Sequence, residues 1–270
     1  MTASGGASPG SVPPRAAPSA PDAIVLAAGR GVRLGALTQS TPKVLLPVHD
    51  RPLLDYHLEA LRSVGVRRVA LVVHYLAEQV EQHVGRGRAF GLDVTSLRQP
   101  APLGTGDAVR SAAGWVRSDS FLVCYADVYV PGETALLSRL LEDDVPKIVA
   151  ARVPNGGSFG RLRTREEAGE LYLVDIQEKD GKPGAALVNA GLYLLPRSLL
   201  DLVADLPRSA RGEYELTDAL SALVRRGGTI RVVPIEEWVD AGTEASLARA
   251  NELAARGSPR ASLSAGRDAP

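Results

Sequence analysis

Four short runs of strand length, separated by segments of helical pattern, dominate the first half of the chain. They are Ala23–Ala28, Val66–Val73, Leu92–Leu97 and Phe121–Ala126. Each has strand length, and the first is apolar throughout, as a strand covered on both faces must be. Asp50 and Pro52 open an amphipathic stretch with Leu54, Leu58 and Leu61 on one stripe and Gly65 at its end. Tyr75–Val84 and Thr105–Val116 carry similar helical patterns. The order β-α-β-α-β-α-β predicts parallel strands with helices on both faces. Farther on, Lys147–Val153, Leu187–Leu195 and Ile230–Ile235 predict strands, and 160–177 predicts a hairpin turning near 166–169. Leu216–Arg226 and Glu244–Ala254 predict helices. The expected class is α/β: a Rossmann-like doubly wound mixed sheet with a small β-rich elaboration. Ligands of such sheets sit beyond the carboxyl ends of the strands.

Composition narrows the partners. Lys plus Arg and Asp plus Glu both number 31, so no basic excess marks a nucleic-acid binder. No apolar run nears the ~20 residues of a membrane-spanning helix. The lone cysteine, Cys124, allows neither an intrachain disulfide nor a cysteine zinc site. No apolar secretory segment is visible near the N-terminus, so a cytoplasmic protein is expected. Residues 1–21 and 258–270 are rich in Ala, Ser, Gly and Pro and read as disordered tails around one domain at 22–257. Among 31 basic residues only Lys43, Lys147, Lys179 and Lys182 are lysines. A lysine retained in such an arginine-rich chain is a candidate for a compact ammonium.

The first strand runs into Leu26-Ala-Ala-Gly-Arg-Gly-Val-Arg-Leu34, then Leu37-Thr-Gln-Ser-Thr-Pro-Lys-Val-Leu-Leu-Pro-Val48. Glycines directly after a buried strand let backbone N–H groups approach phosphates. Arg33 and Lys43 add two cations. A dinucleotide fingerprint fits poorly: Gly29 and Gly31 match G-x-G, but Leu34 stands at the third glycine position. The second strand ends at Val73-His74 with no acid for a ribose. This argues against an NAD-linked oxidoreductase. No Walker A sequence occurs. The segment resembles the signature of the sugar-1-phosphate nucleotidylyltransferase family, of the glucose-1-phosphate thymidylyltransferase kind, over more than 20 consecutive positions. The resemblance implies a nucleotide-diphospho-sugar transferase fold. Its loop would wrap a nucleoside triphosphate through Leu26, Ala28, Gly29 and Gly31, with Arg33 and Lys43 neutralising the phosphates.

Later segments resemble the same family. In Gln99-Pro-Ala-Pro-Leu-Gly-Thr-Gly-Asp-Ala108, Gln99, Gly104 and Thr105 would bind the nucleotide. An amide such as Gln99 can donate and accept, as the edge of uracil or thymine requires. Asp127 follows the fourth apolar strand, and Asp240 lies in Trp-Val-Asp-Ala-Gly-Thr243. The resemblance makes both Mg²⁺ ligands; either could instead cap the helix expected after it. Gly160, Glu178, Lys179, Asn189 and Gly191 would form the sugar-phosphate side. The family often has Glu-Lys-Pro where this chain has Glu178-Lys179-Asp-Gly-Lys182-Pro183, so either lysine could hold the phosphate; Lys179 is favoured because it adjoins Glu178. Glu213-Tyr-Glu215-Leu-Thr-Asp218 also matches, as a sugar contact or as an acidic helix start. His49, His57, His74 and His83 show no ligand spacing and receive no role.

The implied reaction joins an NTP, UTP or dTTP favoured, to a sugar 1-phosphate, giving an NDP-sugar and pyrophosphate with Mg²⁺. The alternatives are a GTP-dependent guanylyltransferase, transfer to a cyclitol phosphate or phosphocholine, and a non-catalytic regulatory subunit that binds nucleotide-sugar. A homo-oligomer is possible. No hexapeptide repeat follows residue 257, so nucleotidyl transfer alone is expected, without the acetyltransferase half of bifunctional relatives.

Overall fold

The structure, a computed structural model, describes residues 20–257. The expected tails, but for residues 20 and 21, lie outside the described residues. The chain begins with β1 (Asp22–Ala27), passes a glycine-rich loop, and forms a small ribbon of β2 (Pro47–Val48) and β3 (Arg51–Pro52). Then come α1 (Leu53–Ser63), β4 (Arg68–Val73), α2 (Ala77–Val84), β5 (Asp93–Arg98), α3 (Thr105–Ala112), β6 (Ser120–Tyr125), β7 (Val128–Tyr129) and α4 (Glu133–Leu140). The second half contributes β8 (Lys147–Val153), β9 (Arg161–Glu167), β10 (Glu170–Gln177), β11 (Ala186–Pro196), α5 (Leu199–Ala204) and α6 (Leu216–Arg225). It closes with β12 (Arg231–Ile235), β13 (Val239–Asp240) and α7 (Glu244–Gly257).

One mixed sheet of nine strands, ordered β5-β4-β1-β6-β11-β8-β12-β10-β9, forms the centre of the α/β fold. β1 is parallel to β4 and β6, and β4 to β5. β11 runs antiparallel to both β6 and β8, which makes the sheet mixed. The strands expected to form the small β-rich elaboration, β9 to β11, lie in this same sheet. Alternation along β1 explains the two-sided core. Ala23, Val25 and Ala27 join one apolar cluster with Leu54, Leu58, Leu61 and Val80; Ile24 and Leu26 join the other with Val109, Leu200 and Leu220. Helices therefore cover both faces.

Buried Asp22 ties the start of β1 to its neighbours. Its carboxylate accepts from the Arg68 guanidinium at 2.7 Å and from the Arg117 N–H at 2.7 Å. Helix ends were less legible in the sequence. α1 begins at Leu53 without a capping side chain, α2 at Ala77 after left-handed Leu76, and α3 stops at Ala112 rather than Val116. α4 and α5 carried no expectation; they span only eight and six residues. The expected hairpin is β9–β10, turning through Ala168 and Gly169, both at positive φ as a tight two-residue turn demands.

Buried Lys147 proves structural. Its ammonium donates to the carbonyls of Leu140, Asp143 and Val145 and to Asp143 Oδ1 at 2.5 Å. Lys147 first, with Arg231 assisting, holds the Asp143 carboxyl down to about 2. A depressed carboxyl stabilises the fold above its unfolded value, near 3.9, and loses that contribution as pH falls toward 2. Asp143 is 40% exposed, so solvent screening limits the gain to under about 1 kcal/mol. Asp143→Asn should therefore lower Tm by a few degrees at pH 7, with the gap closing near pH 2–3 in thermal denaturation. A gap unchanged at low pH would contradict the ion-pair account. Among the described residues no helix is long and apolar enough to cross a membrane.

Candidate active site

A cavity of about 330 Å³ opens at the carboxyl ends of β1, β5 and β6. Its size is within the range of small-molecule sites. Leu26, Ala28, Gly29, Arg33 and Lys43 line one side, Gln99, Gly104 and Thr105 another. Asp127 and Asp240 stand between these and Gly160, Glu178, Lys179 and Asn189. Gly31 and Gly191 stand behind the residues that line the cavity. Gly31 sits at φ 68°, where a Cβ would come within 3.1 Å of Lys43 Cβ. Gly191 sits at φ 82° against the Tyr125 ring, which a Cβ would meet at 2.8 Å.

The charged centre is a four-residue network. Lys43, 4% exposed, donates to Asp127 Oδ2 at 2.8 Å and to Asp240 Oδ1 at 3.1 Å. Arg33 donates to Asp240 Oδ2 at 3.0 Å. The tertiary structure joins the aspartates through a short ribbon: β7 pairs antiparallel with β13, Asp240 opposite Val128, and the Ala241 N–H donates to the Asp127 carbonyl at 3.0 Å. Neither aspartate caps a helix: Thr243 Oγ1 accepts from the Ser246 N–H before α7, and α4 starts only at Glu133. Burial works to lower the Lys43 ammonium, but Asp127 and Asp240 outweigh it and raise it. Burial works to raise the Asp127 carboxyl, but Lys43 outweighs it and holds it below the usual carboxylate range. At neutral pH the pair is therefore ionised.

Both carboxylates reach one cation, the Lys43 ammonium. They can accordingly converge on a divalent ion, which takes one or two carboxylates together with substrate phosphates. Among the described residues no cluster of three or more His, Cys, Asp or Glu makes an all-protein metal cage. Two carboxylates on one cation fit a divalent ion whose remaining ligands come from outside the chain.

Gln99 is buried at the end of β5. Its amide nitrogen donates to Asp107 Oδ2 at 2.7 Å and to the Gly104 carbonyl at 3.3 Å. Both amide N–H groups are spent, so Gln99 offers a ligand only its carbonyl oxygen, contrary to the expected donor–acceptor pair. Gly104, at φ 105°, has the Tyr214 carbonyl where a Cβ would stand, 2.5 Å away. Gly104→Ala should distort this loop and raise the KM for nucleotide about tenfold or more, from strain of about 1–3 kcal/mol, while leaving the KM for the second substrate within about twofold. Equal effects on both KM values would refute a nucleotide-side role for the loop.

On the opposite side, Glu178 Oε1 accepts from the Thr217 hydroxyl at 2.8 Å. Lys179 has a positive φ of 41° and lines the cavity, whereas Lys182 is 72% exposed and points to Asp180. Geometry therefore separates the two lysines. Asn189 Oδ1 accepts from the Gly191 N–H at 3.0 Å and the Tyr193 hydroxyl at 2.8 Å. Glu213 and Glu215 also face the cavity, with Arg211 joined to both. Burial raises the Glu215 carboxyl, Arg211 opposing it. Phe159, beside Gly160, and Trp238, which carried no expected role, also line the cavity; their rings meet edge-on at 5.2 Å, and the Trp238 indole donates to the Ala190 carbonyl. Trp238 stands two residues before Asp240, a signal already in the W-x-D segment.

A glycine loop, two cations and two carboxylates surround one cleft. The sequence matches the nucleotidyl transferase family over residues 22–257, and the chain belongs to that family. It is 33% identical over 241 residues to glucose-1-phosphate thymidylyltransferase of Streptomyces griseus, covering 86% of this chain and 65% of that protein. It is 32% identical to mannose-1-phosphate guanylyltransferase of Mycobacterium tuberculosis, covering 87% and 65%. The chain thus spans about two-thirds, just short of it, of the length of these relatives. Among solved structures, a Bacillus anthracis protein provisionally described as a glucose-1-phosphate thymidylyltransferase, in complex with sucrose, superposes with a TM-score of 0.76 at 26% identity. That match covers 86% of this chain and 94% of the other.

Proposed function

We propose that this protein is a sugar-1-phosphate nucleotidylyltransferase that condenses an NTP with a sugar 1-phosphate to an NDP-sugar and pyrophosphate. One observation carries the reading: a single cavity joins the glycine loop and the Arg33–Asp240–Lys43–Asp127 network to the Glu178–Lys179 side. Both substrates then meet over the paired carboxylates. We read the fold as Rossmann-like and doubly wound, of nucleotide-diphospho-sugar transferase type. Residues 22–257 are its one domain, and strands β9 to β11 are its sugar-binding elaboration. The working environment is the cytoplasm, with no nucleic-acid or membrane partner and a homo-oligomer as one possible assembly.

The attacking oxygen belongs to a phosphate that is already ionised at pH 7, so no general base is required. Catalysis then consists of positioning and charge neutralisation. The backbone at Leu26, Ala28, Gly29 and Gly31 shapes the triphosphate cradle. Arg33 and Lys43 neutralise the phosphates that leave as pyrophosphate. Lys179 holds the acceptor phosphate, and Glu178, Gly160, Asn189 and Gly191 shape the sugar side. Asp127 and Asp240 would hold Mg²⁺, which when bound supplies further neutralisation of phosphate oxygens.

The base is selected by hydrogen-bond polarity. An acceptor-only Gln99 suits an N–H at the base edge, as in uracil and thymine N3–H. Guanine N1–H meets the same condition, which keeps a guanylyltransferase as the second reading. Cytosine and adenine present an acceptor there. Pyrophosphate release should therefore be measured with UTP, dTTP, GTP, CTP and ATP against a panel of sugar and cyclitol 1-phosphates and phosphocholine. CTP and ATP should be poorer by about 10²-fold or more in kcat/KM, because a buried acceptor would face another acceptor. Efficient use of CTP would refute the assigned role of Gln99. No release across the panel, with nucleotide binding intact, would favour the regulatory reading.

A further inference from the structure

His57 is completely buried on α1, and Glu133, at the start of α4, is 6% exposed. His57 Nδ1 lies 2.8 Å from Glu133 Oε1, and Nε2 lies 2.9 Å from the Val128 carbonyl oxygen. The proposed mechanism uses neither residue. A carbonyl can only accept, so Nε2 carries a proton and donates to Val128. The Glu133 contact at Nδ1 fixes the ring's orientation. Leu54 and Leu58 of α1, Val128 of β7, and Leu136 and Leu137 of α4 belong to one buried apolar cluster, so an apolar side chain at position 57 would avoid the cost of burying polar groups. What the imidazole adds is the bond to Val128. Val128 belongs to β7, stands opposite Asp240 on β13, and follows Asp127. Each strand of that ribbon is only two residues long, too short to hold itself in place.

We propose that His57, oriented by Glu133, is a positioning residue: its Nε2–H anchors the Val128 carbonyl and so fixes the ribbon that sets Asp127 and Asp240 around one cation. The proposal rests on reading those two carboxylates as the cation-holding pair of the nucleotidyl transfer site. Displacement of either one by an ångström would separate the carboxylates from a shared ion.

The test compares His57→Gln with His57→Asn in the full chain. A glutamine amide reaches toward the Nε2 position and can keep the bond to Val128. An asparagine amide reaches only toward Nδ1, keeping a partner for Glu133 and losing Val128. Hydrogen exchange at the Ala241 N–H should be about tenfold faster in His57→Asn, the effect of one lost buried hydrogen bond, with β1 amides unchanged and His57→Gln near wild type. Mn²⁺, titrated by electron paramagnetic resonance with inorganic pyrophosphate present to supply the phosphate oxygens, should bind about tenfold more weakly to His57→Asn and be restored in His57→Gln. Identical exchange and Mn²⁺ affinity in both variants, or a uniform loss of protection through β1 and the ribbon, would overturn the proposal. If His57→Asn does not fold, ¹⁵N NMR of the wild-type ring decides: an unprotonated Nε2 would overturn it. A wild type that binds Mn²⁺ yet releases no pyrophosphate would defeat the transferase reading while leaving the positioning role intact. A wild type that binds no Mn²⁺ would overturn the cation-setting role.

Discussion

Asp127→Asn is expected to lower kcat/KM about 10³-fold while shifting Tm by only a few degrees. The substitution is nearly isosteric and keeps an oxygen facing the Lys43 ammonium, which retains Asp240 at 3.1 Å. The fold therefore loses part of one charge-assisted bond, about 1 kcal/mol. The site loses much more. On the proposed mechanism one of two cation-holding carboxylates becomes neutral, and the stabilisation of developing charge in phosphoryl chemistry amounts to several kcal/mol. Lys43 holds the Asp127 carboxyl below its usual range against the effect of burial, so the native side chain is fully ionised at pH 7 and the full charge is at stake. Pyrophosphate release and a thermal melt on the same preparation check both halves. Activity within tenfold of wild type would remove Asp127 from the centre of the reaction.

Lys43→Met should lower kcat/KM by about 10²–10³-fold and destabilise the fold somewhat more than the aspartate variant does. The ammonium is buried and bridges two carboxylates, so its loss leaves Asp127 and Asp240 facing each other with Arg33 alone. Removing one partner of a buried pair costs about 3–5 kcal/mol, but Asp127 is 37% exposed, and water screens it down to about 1–2 kcal/mol. The pH dependence has a definite sign. Lys43 is raised in the fold, so its contribution is complete below the unfolded value near 10.4 and disappears as pH climbs through the folded one. Asp127 is lowered, so its contribution is complete above about 4 and disappears as pH falls through the folded value. The Tm gap between wild type and Lys43→Met should be widest from about pH 5 to 9 and should narrow below about pH 4. A gap that widens in acid would contradict the ion-pair account.

Much of the α/β order could be read from residue periodicity. β1, β4 and β6 lie within a residue or two of their expected positions because buried strands need apolar runs, and β5, at the sheet edge, lies within a residue of its own although most of it is polar. The helix ends were less clear, since α1 and α3 lack capping side chains that would mark them. The lysines divide as only packing could divide them. Lys43 and Lys179 line the cavity, Lys147 binds the carbonyls that follow α4, and Lys182 faces solvent. His57 had no visible ligand spacing because its partners, Glu133 and Val128, are 76 and 71 residues away.

The sequence by itself determined the local elements: the alternation of strand and helix, the glycine-rich loop after β1, and the residue types at each candidate position. A side chain's period specifies which face is buried and leaves open which distant face it meets. The tertiary structure decided that Arg33 reaches Asp240 across 207 residues, that β7 and β13 pair, and that Lys43 sits between the two aspartates. It also turned Gln99 into an acceptor by pairing its amide with Asp107. These outcomes depend on strand order and register, which bring the ends of β1, β5 and β6 to one rim; burial then requires each charge gathered there to find an opposite charge.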